Sequence, residues 1–289
     1  MNITTNDSDF ERHNFFVNLV RIPLFWFFDF LPTSILNKLF VAFGEKTKEV
    51  FSKAKTYQAL EIMYTFPERK KRGQASWFDI LWDALLYNSK AVRNRLRFVK
   101  RVLKGIITQK SKEDKPVRIF SVGSGSGRSI LETISSFDDE VPIEAIFFDK
   151  SQSALRFSQQ LTKEIVGNGA QINFQWVCAK TEKLEDLILR FSPDIVEMVG
   201  ILDYFNDSDA KGLFRLIQQC LASDGWFIVS NVRPNIEAVF VTKAVRWPLI
   251  YRTSEQLQNL LINGGFGRDK IRLFIEPLEI YTIAVCQKT

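Results

Sequence analysis

The residues best suited to do chemistry in this chain are three alternate glycines. Gly123, Gly125 and Gly127 follow the apolar run 117–122 and precede a segment with helical spacing. Glycines at the end of a strand let the backbone turn sharply and approach a ligand, which then faces the N-terminus of the next helix. A dinucleotide fingerprint, Gly-x-Gly-x-x-Gly, needs a further glycine where Arg128 stands. The spacing therefore predicts a cofactor loop of another kind.

An acid follows the next β-like run at a distance that suits the same cofactor. Asp149 ends the run 143–148, and an acid at this place in a strand-helix-strand unit can accept hydrogen bonds from both hydroxyls of a ribose. Asp149 also precedes Ser151 and an apolar helical spacing, so helix capping is the alternative interpretation. Beside the glycine loop the ribose role is favoured, although one side chain could fill both.

The elements that must position these residues alternate along the chain. Strands are predicted at 171–178, 193–198 and 226–230, and helices at 182–190 and 207–221. Strands separated by such helices form parallel sheets with right-handed crossovers. Ligands of these sheets bind at the carboxyl ends of the strands, where the glycine loop and Asp149 lie.

From about Val117 onwards the chain resembles the Rossmann-like methyltransferases that depend on S-adenosylmethionine (SAM). The glycine spacing is similar to their first motif, and the runs 270–276 and 279–287 are similar to the antiparallel strand pair that ends their sheet. The resemblance implies an α/β fold, a seven-stranded sheet with helices on both faces, and SAM as the cofactor. The cofactor-binding residues that it implies are Ser121, Gly123, Ser124, Gly125, Gly127, Asp149, Lys150 and Gly200.

Two positions depart from that family's pattern. Ser121 stands where the first motif usually has an acid, which implies that water or another side chain holds the amino end of SAM. The third strand ends in Cys178-Ala179-Lys180, where the family often has an acid that contacts adenine. The contact with adenine is therefore left open.

Three segments resemble a narrower group, the bacterial methyltransferases that form fatty-acid methyl esters such as 3-hydroxypalmitate methyl ester. These segments are 200–205, 231–235 and 247–257. The resemblance implies a small, largely apolar acceptor, either a fatty acyl or a natural-product carboxylate or hydroxyl. Asp203 and Tyr204 are the candidate catalytic residues, with turn capping as the alternative. The candidate substrate-binding residues are Tyr204, Asn231, Arg233, Tyr251 and Arg252.

The chemistry of the acceptor decides whether a base is needed. A carboxylate needs no general base to accept a methyl group, whereas an amine, phenol or carbon acceptor usually does. His13 is the single histidine and stands in a polar segment, so we expect it to be exposed to solvent. Arg233 and Arg252 could clamp an acidic substrate or form surface ion pairs.

Residues 1–115 form a different segment, a helical N-terminal extension before the SAM-binding domain 116–289. Residues 15–43 contain nine aromatic residues, but charged residues interrupt the run, and Pro23 and Pro32 are expected to break it. It falls short of the ~20 apolar residues of a spanning helix. Three interpretations stay open: aromatic residues that attach the extension to the domain, a substrate lid, or an element lying in a membrane surface.

The second part of the extension is basic. Residues 45–115 carry 18 Lys and Arg against 8 Asp and Glu, in a chain of net charge +6. Arg69–Arg72 is expected in a loop between helices, and a basic amphipathic helix follows Ser89. Because this helix leads into the glycine loop, Arg93 or Arg97 is a candidate for holding the SAM carboxylate. A solvated face, an anionic membrane and a nucleic-acid backbone are the alternatives.

Composition limits the remaining possibilities. The three cysteines, Cys178, Cys220 and Cys286, stand in apolar segments without metal-ligand spacing, so we expect buried thiols and no metal. The first residues lack a basic stretch typical of a signal peptide, which favours a cytoplasmic protein with a contact to the inner membrane surface as an option. An RNA methyltransferase and a non-catalytic SAM-binding protein are the alternative functions. Nucleic acid is disfavoured because the Asn-Pro-Pro-Tyr and Asp-Pro-Pro-Tyr motifs of base methylation are missing.

Overall fold

A computed structural model describes residues 8–42, 49–50, 52–137, 141–167 and 172–288. Gln171, predicted to begin a strand, lies outside the described residues, as does part of the aromatic-rich run at 43. Within the described residues, no helix combines the length and the apolar character needed to cross a membrane.

Seven strands form one mixed sheet. They are β1 Val117–Val122, β2 Ile143–Asp149, β3 Ile172–Cys178, β4 Ile195–Met198, β5 Trp226–Val232, β6 Ile271–Ile275 and β7 Tyr281–Gln287. Their order in the sheet is β3-β2-β1-β4-β5-β7-β6. Strand β7 runs antiparallel to both of its neighbours, β5 and β6, and the other neighbouring strands are parallel. The predicted seven-stranded α/β sheet with a terminal antiparallel pair is confirmed. The order reverses beside β1, which places a ligand crevice at the carboxyl ends of β1 and β4.

The helices, in chain order, are α1 Phe15–Phe30, α2 Thr33–Ala42, α3 Tyr57–Tyr64, α4 Phe66–Lys71, α5 Trp77–Leu85, α6 Tyr87–Lys110, α7 Arg128–Ile134, α8 Gln152–Ile165, α9 Leu184–Phe191, α10 Asp207–Cys220, α11 Ala238–Lys243 and α12 Ser254–Asn263. Short 3-10 turns occur at Thr181–Lys183, Leu202–Tyr204 and Arg268–Lys270. A capping box between Thr253 and Gln256 opens α12.

The sheet is covered on both faces, because successive strand residues point to opposite sides. Ile119 and Phe147 face a core that α6, α7 and α8 close. Phe120 and Phe148 face a second core that α9, α10 and α12 close. The basic amphipathic helix expected after Ser89 is therefore α6, and its apolar stripe packs on the sheet.

A buried carboxylate fastens the N-terminal helices to this sheet. Glu237, in the turn after β5, has no exposed surface and pairs with the buried guanidinium of Arg21 from α1. Its oxygens also accept hydrogen bonds from the backbone N–H groups of Tyr87, at 2.6 Å, and Asn88, at 3.0 Å. These N–H groups open α6, whose preceding residue, Leu86, has no capping side chain. Glu237 therefore supplies the cap that the local sequence lacks.

The structure corrects three expectations about individual residues. Pro23 lies inside α1 and does not break it, because water can reach the carbonyl that loses its partner on this exposed side, whereas Pro32 does separate α1 from α2. Arg69–Arg72 is mostly helical, in α4. Cys178 is exposed because it ends β3, the edge strand, whereas Cys220 and Cys286 are buried as expected. His13 is exposed, as predicted.

Replacing Glu237 by alanine should destabilise the protein strongly. The change leaves Arg21 buried without its partner and removes the cap of α6, and the loss of one partner of a buried pair costs about 3–5 kcal/mol. Urea unfolding followed by circular dichroism measures the effect. The control is Glu164→Ala on the exposed side of α8, expected to change the free energy of unfolding by less than about 0.5 kcal/mol. Equal stabilities of the two variants would contradict this account.

Candidate functional site

A cavity of about 840 Å³ lies at the carboxyl ends of β1, β2 and β4. Its walls come from the loop after β1, the end of β2, the segment after β4 and helix α3 of the N-terminal extension. Gly123, Ser124, Gly125, Asp149, Lys150 and Gly200 all line it. The structure therefore brings most of the predicted cofactor-binding residues together at one site.

The glycine loop takes a backbone conformation that other residues rarely adopt. Gly123, Gly125 and Gly127 have φ angles of 64°, 55° and 67°. Gly127 is also closely packed, since a Cβ atom there would lie 2.5 Å from the ring of Phe147. The loop can thus follow a ligand closely while α7 begins immediately behind it.

Asp149 lines the cavity at the place that the ribose role requires, whereas the side chain that caps α8 is that of Ser151. One carboxylate oxygen accepts a hydrogen bond from the backbone N–H of Gly125 at 2.8 Å, and the other accepts from the N–H of Ser151 at 2.8 Å. Each oxygen keeps a second acceptor position, so the carboxylate can also accept hydrogen bonds from hydroxyls in the cavity. Asp149 therefore holds the glycine loop and the N–H of Ser151, the N-cap residue of α8, while it lines the cavity.

The neighbouring strand places an acid, Glu197, beside Ser121. Ser121 on β1 pairs in register with Glu197 on β4, and the Ser121 hydroxyl donates to the Glu197 carboxylate at 2.7 Å. The Ser129 hydroxyl also lies within hydrogen-bond distance, at 3.2 Å. Glu197 lines the cavity, whereas Ser121 lies behind it. Burial raises the pKa of Glu197 to about 7.

The residues present fit SAM as an occupant of this cavity. Ser124 has a buried hydroxyl oxygen with no hydrogen-bond partner among the described residues. Glu197 provides an acid that an ammonium group would stabilise in its ionised form, and Asp149 provides acceptors for ribose hydroxyls. At the end of β3, Ala179 and Lys180 line the cavity, and the nearest acid of this wall is Glu182 in the following turn.

The structure does not bring Arg97 to the cavity. Its guanidinium points to the N-terminal segment and pairs with Glu11 at 3.2 Å. Arg93 is buried between Glu11, at 2.6 Å, and Asp83, at 2.8 Å. The arginine of α6 that approaches the site is Arg95, which is 2% exposed and packs with its guanidinium 4.5 Å from the ring centroid of Tyr281.

Arg128, at the position that distinguishes this loop from a dinucleotide fingerprint, links the extension to the loop. Its guanidinium pairs with Glu61 of α3 at 2.5 Å and with Glu132 of α7 at 2.7 Å. Glu61 is 8% exposed, so the pair is largely shielded from water. This pair holds α3 against the glycine loop, and Tyr57 of α3 lines the cavity.

Asp203 and two of the predicted substrate-binding residues form a buried network. One oxygen of Asp203 accepts hydrogen bonds from the side-chain amide of Asn231 and from the N–H of Val232, both at 2.8 Å. Asn231 in turn accepts from Arg252 at 2.8 Å, and Arg252 pairs with Asp207 at 2.7 Å. Burial raises the pKa of Asp203 to about 6. Asn231 and Arg252 therefore hold Asp203 and do not line the cavity.

Of the remaining predicted residues, only Tyr204 reaches the cavity. Its hydroxyl accepts a hydrogen bond from the indole of Trp247 at 2.6 Å, and burial raises its pKa to about 12. Tyr251 donates to the carbonyl of Ala238 at 3.4 Å, and Arg233 donates to the carbonyl of Glu279 at 3.1 Å. Neither of these two side chains lines the cavity.

The fold and the site define the class of protein. A seven-stranded sheet with an antiparallel β7, together with a glycine loop at the end of β1 and an acid at the end of β2, is the arrangement of the Rossmann-like methyltransferases. A family model described as "Putative methyltransferase" matches residues 75–288, and the chain belongs to this family. No curated protein matches the chain in sequence.

Solved structures of low sequence identity share the fold. A protein from Bordetella parapertussis described as a possible exported protein is 15% identical, with a TM-score of 0.69, over 93% of this chain and 94% of that chain. Magnesium protoporphyrin IX methyltransferase from Synechocystis PCC 6803, solved with bound S-adenosylhomocysteine, is 13% identical, with a TM-score of 0.52, over 79% and 96%. The DszA carbon methyltransferase is 16% identical, with a TM-score of 0.54, over 80% and 65%.

Two residues of the site, Glu197 and Arg95, were not predicted from the sequence, although each has a feature there that points to it. Glu197 is an acid within the otherwise apolar strand 195–198, and a charge in a buried strand needs a partner or a function. Arg95 stands among the many basic residues of α6, and its helical position alone does not distinguish it from Arg93 and Arg97. Only the register of β4 with β1 and the packing of α6 on β7 identify the two residues.

Replacing Glu197 by glutamine should weaken SAM binding and remove part of its pH dependence. Because the wild-type pKa is about 7, the carboxyl is increasingly neutral as the pH falls below 7, and its attraction for an ammonium group is lost. Wild-type affinity for SAM should therefore be lower at pH 6 than at pH 8, because it falls by up to about tenfold for each pH unit below the pKa of Glu197. The affinity of the variant should change less over the same range. Isothermal titration calorimetry at several pH values measures both.

Thermal unfolding at pH 8 provides the control for this variant. A buried acid with a raised pKa binds its proton more tightly in the folded state, so the wild type loses stability as the pH rises from 4.5 to about 7, a loss that glutamine does not suffer. The variant should thus unfold at pH 8 at the wild-type temperature or higher. Unchanged SAM affinity, with an unchanged pH profile, would show that Glu197 does not face the cofactor.

Replacing Asp149 by alanine should lower SAM affinity by more than about tenfold, the scale of one lost charge-assisted hydrogen bond. The loss has two sources, since Asp149 also holds the N–H of Gly125. Calorimetry measures the affinity, and Asp186→Ala, on the exposed side of α9, serves as the matched control. Wild-type affinity of the Asp149 variant would rule out the ribose assignment.

Proposed function

We propose that this methyltransferase transfers the methyl group of SAM to a small, largely apolar acceptor that carries a carboxylate. A second, smaller cavity beside the cofactor cavity carries this proposal. Its accessible volume is about 90 Å³, and it shares Leu60, Gly200, Tyr204 and Trp247 with the larger cavity. An acceptor that occupies it would therefore lie next to the proposed cofactor site.

The lining of the smaller cavity favours an apolar acceptor. Most of its residues are aliphatic or aromatic: Val50, Leu60, Met63, Leu86, Val92, Val241, Val245, Trp247 and Leu249. Binding sites for small molecules commonly combine such walls with a few polar groups that fix the orientation of the ligand. Here Arg95, Asp203, Tyr204 and Tyr281 supply polar groups.

Arg95 supports the choice of a carboxylate. Its Nε atom is buried and has no hydrogen-bond partner among the described residues, although the side chain lines the smaller cavity. The guanidinium, which hydrogen-bonds to Tyr64, brings a positive charge to the wall of the smaller cavity, and this charge would attract an acceptor carboxylate. Asp203 faces the same cavity with a pKa raised to about 6, so the acidic residue repels an acceptor carboxylate less when it is protonated.

SAM supplies an electrophilic methyl group when bound, and the chain's own residues have to position the acceptor and exclude water. Trp247, held by its hydrogen bond to Tyr204, lies at the junction of the two cavities and restricts access from solvent. A carboxylate acceptor attacks without losing a proton, so no base is required. His13, the single histidine of the chain, lines neither cavity, which agrees with an acceptor of this kind.

RNA methylation, the alternative from the sequence, receives less support. Most of the basic side chains of α6 that were candidates for phosphate contacts pair with acids: Arg93 and Arg97 with Glu11, Lys100 with Glu132, and Arg101 with Asp9. The exposed Lys104 instead lies over the ring of Phe137. Paired side chains of this kind do not offer a free stripe of positive charge to a phosphate backbone.

Methyl-labelled SAM incubated with the protein and a series of fatty acids and 3-hydroxy fatty acids tests the proposal. We expect label in the lipid extract, and we expect mild alkali to release it, because a methyl ester hydrolyses whereas a methyl ether does not. Label that resists alkali would assign a hydroxyl or carbon acceptor. Label in RNA and none in the lipids would overturn the proposal.

Filling the smaller cavity should reduce turnover and leave cofactor affinity intact. Val241 is buried and lines only that cavity, so Val241→Phe should lower kcat/KM by more than about tenfold for the best acceptor, with SAM affinity unchanged. Val166→Phe, at the end of α8 remote from both cavities, is the control. Equal losses of turnover and of SAM binding in Val241→Phe would place the acceptor elsewhere.

A further inference from the structure

Helix α1 exposes apolar residues where an ordinary surface helix exposes polar ones. Every exposed residue in it is apolar: Phe15, Phe16, Leu19, Val20, Ile22, Pro23, Trp26, Phe27 and Phe30. Phe16 is 77% exposed and Trp26 is 68% exposed. The single basic residue of the helix, Arg21, is buried in its pair with Glu237. Contiguous exposed apolar area of this kind marks an interaction site.

Helix α5 extends this area. Trp77, Ile80 and Leu81 are exposed on α5, which packs beside α1. The Nε atom of Arg21 donates to the carbonyl of Leu85 at 3.0 Å and so joins the end of α5 to α1. We call the exposed residues of α1 together with these three the apolar surface. The buried Arg21 pair holds its two helices in one position.

A basic cluster at the end of α4 stands a few residues before the apolar residues of α5. Lys70, Lys71 and Arg72 are exposed at the end of α4, a few residues before Trp77. The described residues provide no acidic partner for any of the three in an ion pair. Unpaired basic side chains beside an apolar, tryptophan-containing face are the combination that binds anionic headgroups and the upper acyl region of a bilayer.

We propose that the apolar surface docks this protein on an anionic lipid bilayer, with α1 lying in the plane of the headgroups. The helix has 16 residues and is too short to span the hydrocarbon core. Its exposed aromatic side chains enter the interface, and Lys70, Lys71 and Arg72 contact the lipid phosphates. The buried Arg21 pair fixes which face of α1 is presented to the lipid.

Residues of α11 and of the turn after it separate α1 from the smaller cavity. On its inner side, Phe25 and Phe28 pack against Phe240 of α11. The neighbouring Val241 and Val245 line that cavity. An apolar acceptor dissolved in the bilayer would therefore enter the protein near its binding site. The docking itself does not depend on this acceptor and is tested without it.

Co-sedimentation with vesicles tests the proposal. Wild-type protein is mixed at physiological salt with vesicles of phosphatidylcholine alone and with vesicles that also contain phosphatidylglycerol. We expect binding to the anionic vesicles, with a smaller bound fraction on the neutral ones. The triple variant Phe16→Ser, Leu19→Ser, Trp26→Ser should bind anionic vesicles at least about tenfold more weakly, because it removes large apolar side chains from the interface.

The matched control is Leu189→Ser, which removes a leucine that is 61% exposed on α9, on the other face of the sheet, and should bind as the wild type does. A second variant, Lys70→Gln with Lys71→Gln and Arg72→Gln, should lose about tenfold or more of its affinity for anionic vesicles and none of its affinity for neutral ones. The proposal is overturned if the wild type does not sediment with anionic vesicles or if the α1 variant binds as tightly as the control.

Two further measurements distinguish insertion into lipid from association between copies of the chain. Vesicles with brominated acyl chains should quench the tryptophan fluorescence of the wild type, since Trp26 and Trp77 are exposed on the apolar surface, and absent quenching contradicts insertion. Light scattering measures the oligomeric state without lipid. A wild-type dimer that the α1 substitutions dissociate, combined with no vesicle binding, would show that a second copy of the chain covers this surface and would overturn the proposal.

Discussion

The placement of the N-terminal helices depends on one carboxylate without access to water. Glu237 follows the last parallel strand, β5, and accepts hydrogen bonds from Arg21 of α1 and from the N–H groups that open α6. An ionised carboxylate in the interior is tolerated only when such donors surround it. Because those donors come from two helices, the requirement to solvate this one group orients both helices against the sheet. A helix positioned in this way can keep apolar residues on its outer face, since its attachment does not rely on burying them.

At the cofactor site an acid of β4, Glu197, lies beside Ser121, the position of β1 where the family's pattern usually has an acid. In a parallel sheet, residues in register on adjacent strands lie close enough to share a hydrogen bond, as Ser121 and Glu197 do. The acid thereby stays near the glycine loop although it comes from β4. The carboxyl of Glu197 is buried at this position, and burial raises its pKa to about 7. Its charge is consequently sensitive to a cationic ligand, a property that an exposed acid at the end of β1 would not have.

Local patterns sufficed to predict the sheet but not the contacts across it. Strands β1 to β7 were recognisable from short apolar runs and turn residues, and the glycine loop and Asp149 from type and spacing. Arg97 and Arg95 are equally basic positions on the same helix, and only the rotation of α6 on the sheet separates them. Asn231 and Arg252 looked like ligands because they are polar residues at strand ends, whereas the structure uses them to satisfy Asp203. Such assignments depend on long-range packing, which sequence spacing does not contain.

Arg95 lines the smaller cavity and lies beside Gly200, which lines both cavities. A Cβ atom at Gly200 would lie 3.1 Å from its Nη2 atom, and Gly200 has a φ angle of 86°, so the guanidinium and the backbone turn both require glycine there. On its other side the guanidinium rests against Tyr281 of β7. A cation so enclosed keeps its charge. That charge lowers the pKa of both Asp203 and Glu197 and so opposes the effect of their burial. An anionic acceptor bound near Arg95 would partly neutralise it, which would weaken the ionised form of Glu197. Acceptor and cofactor are therefore expected to influence each other's binding through this one side chain.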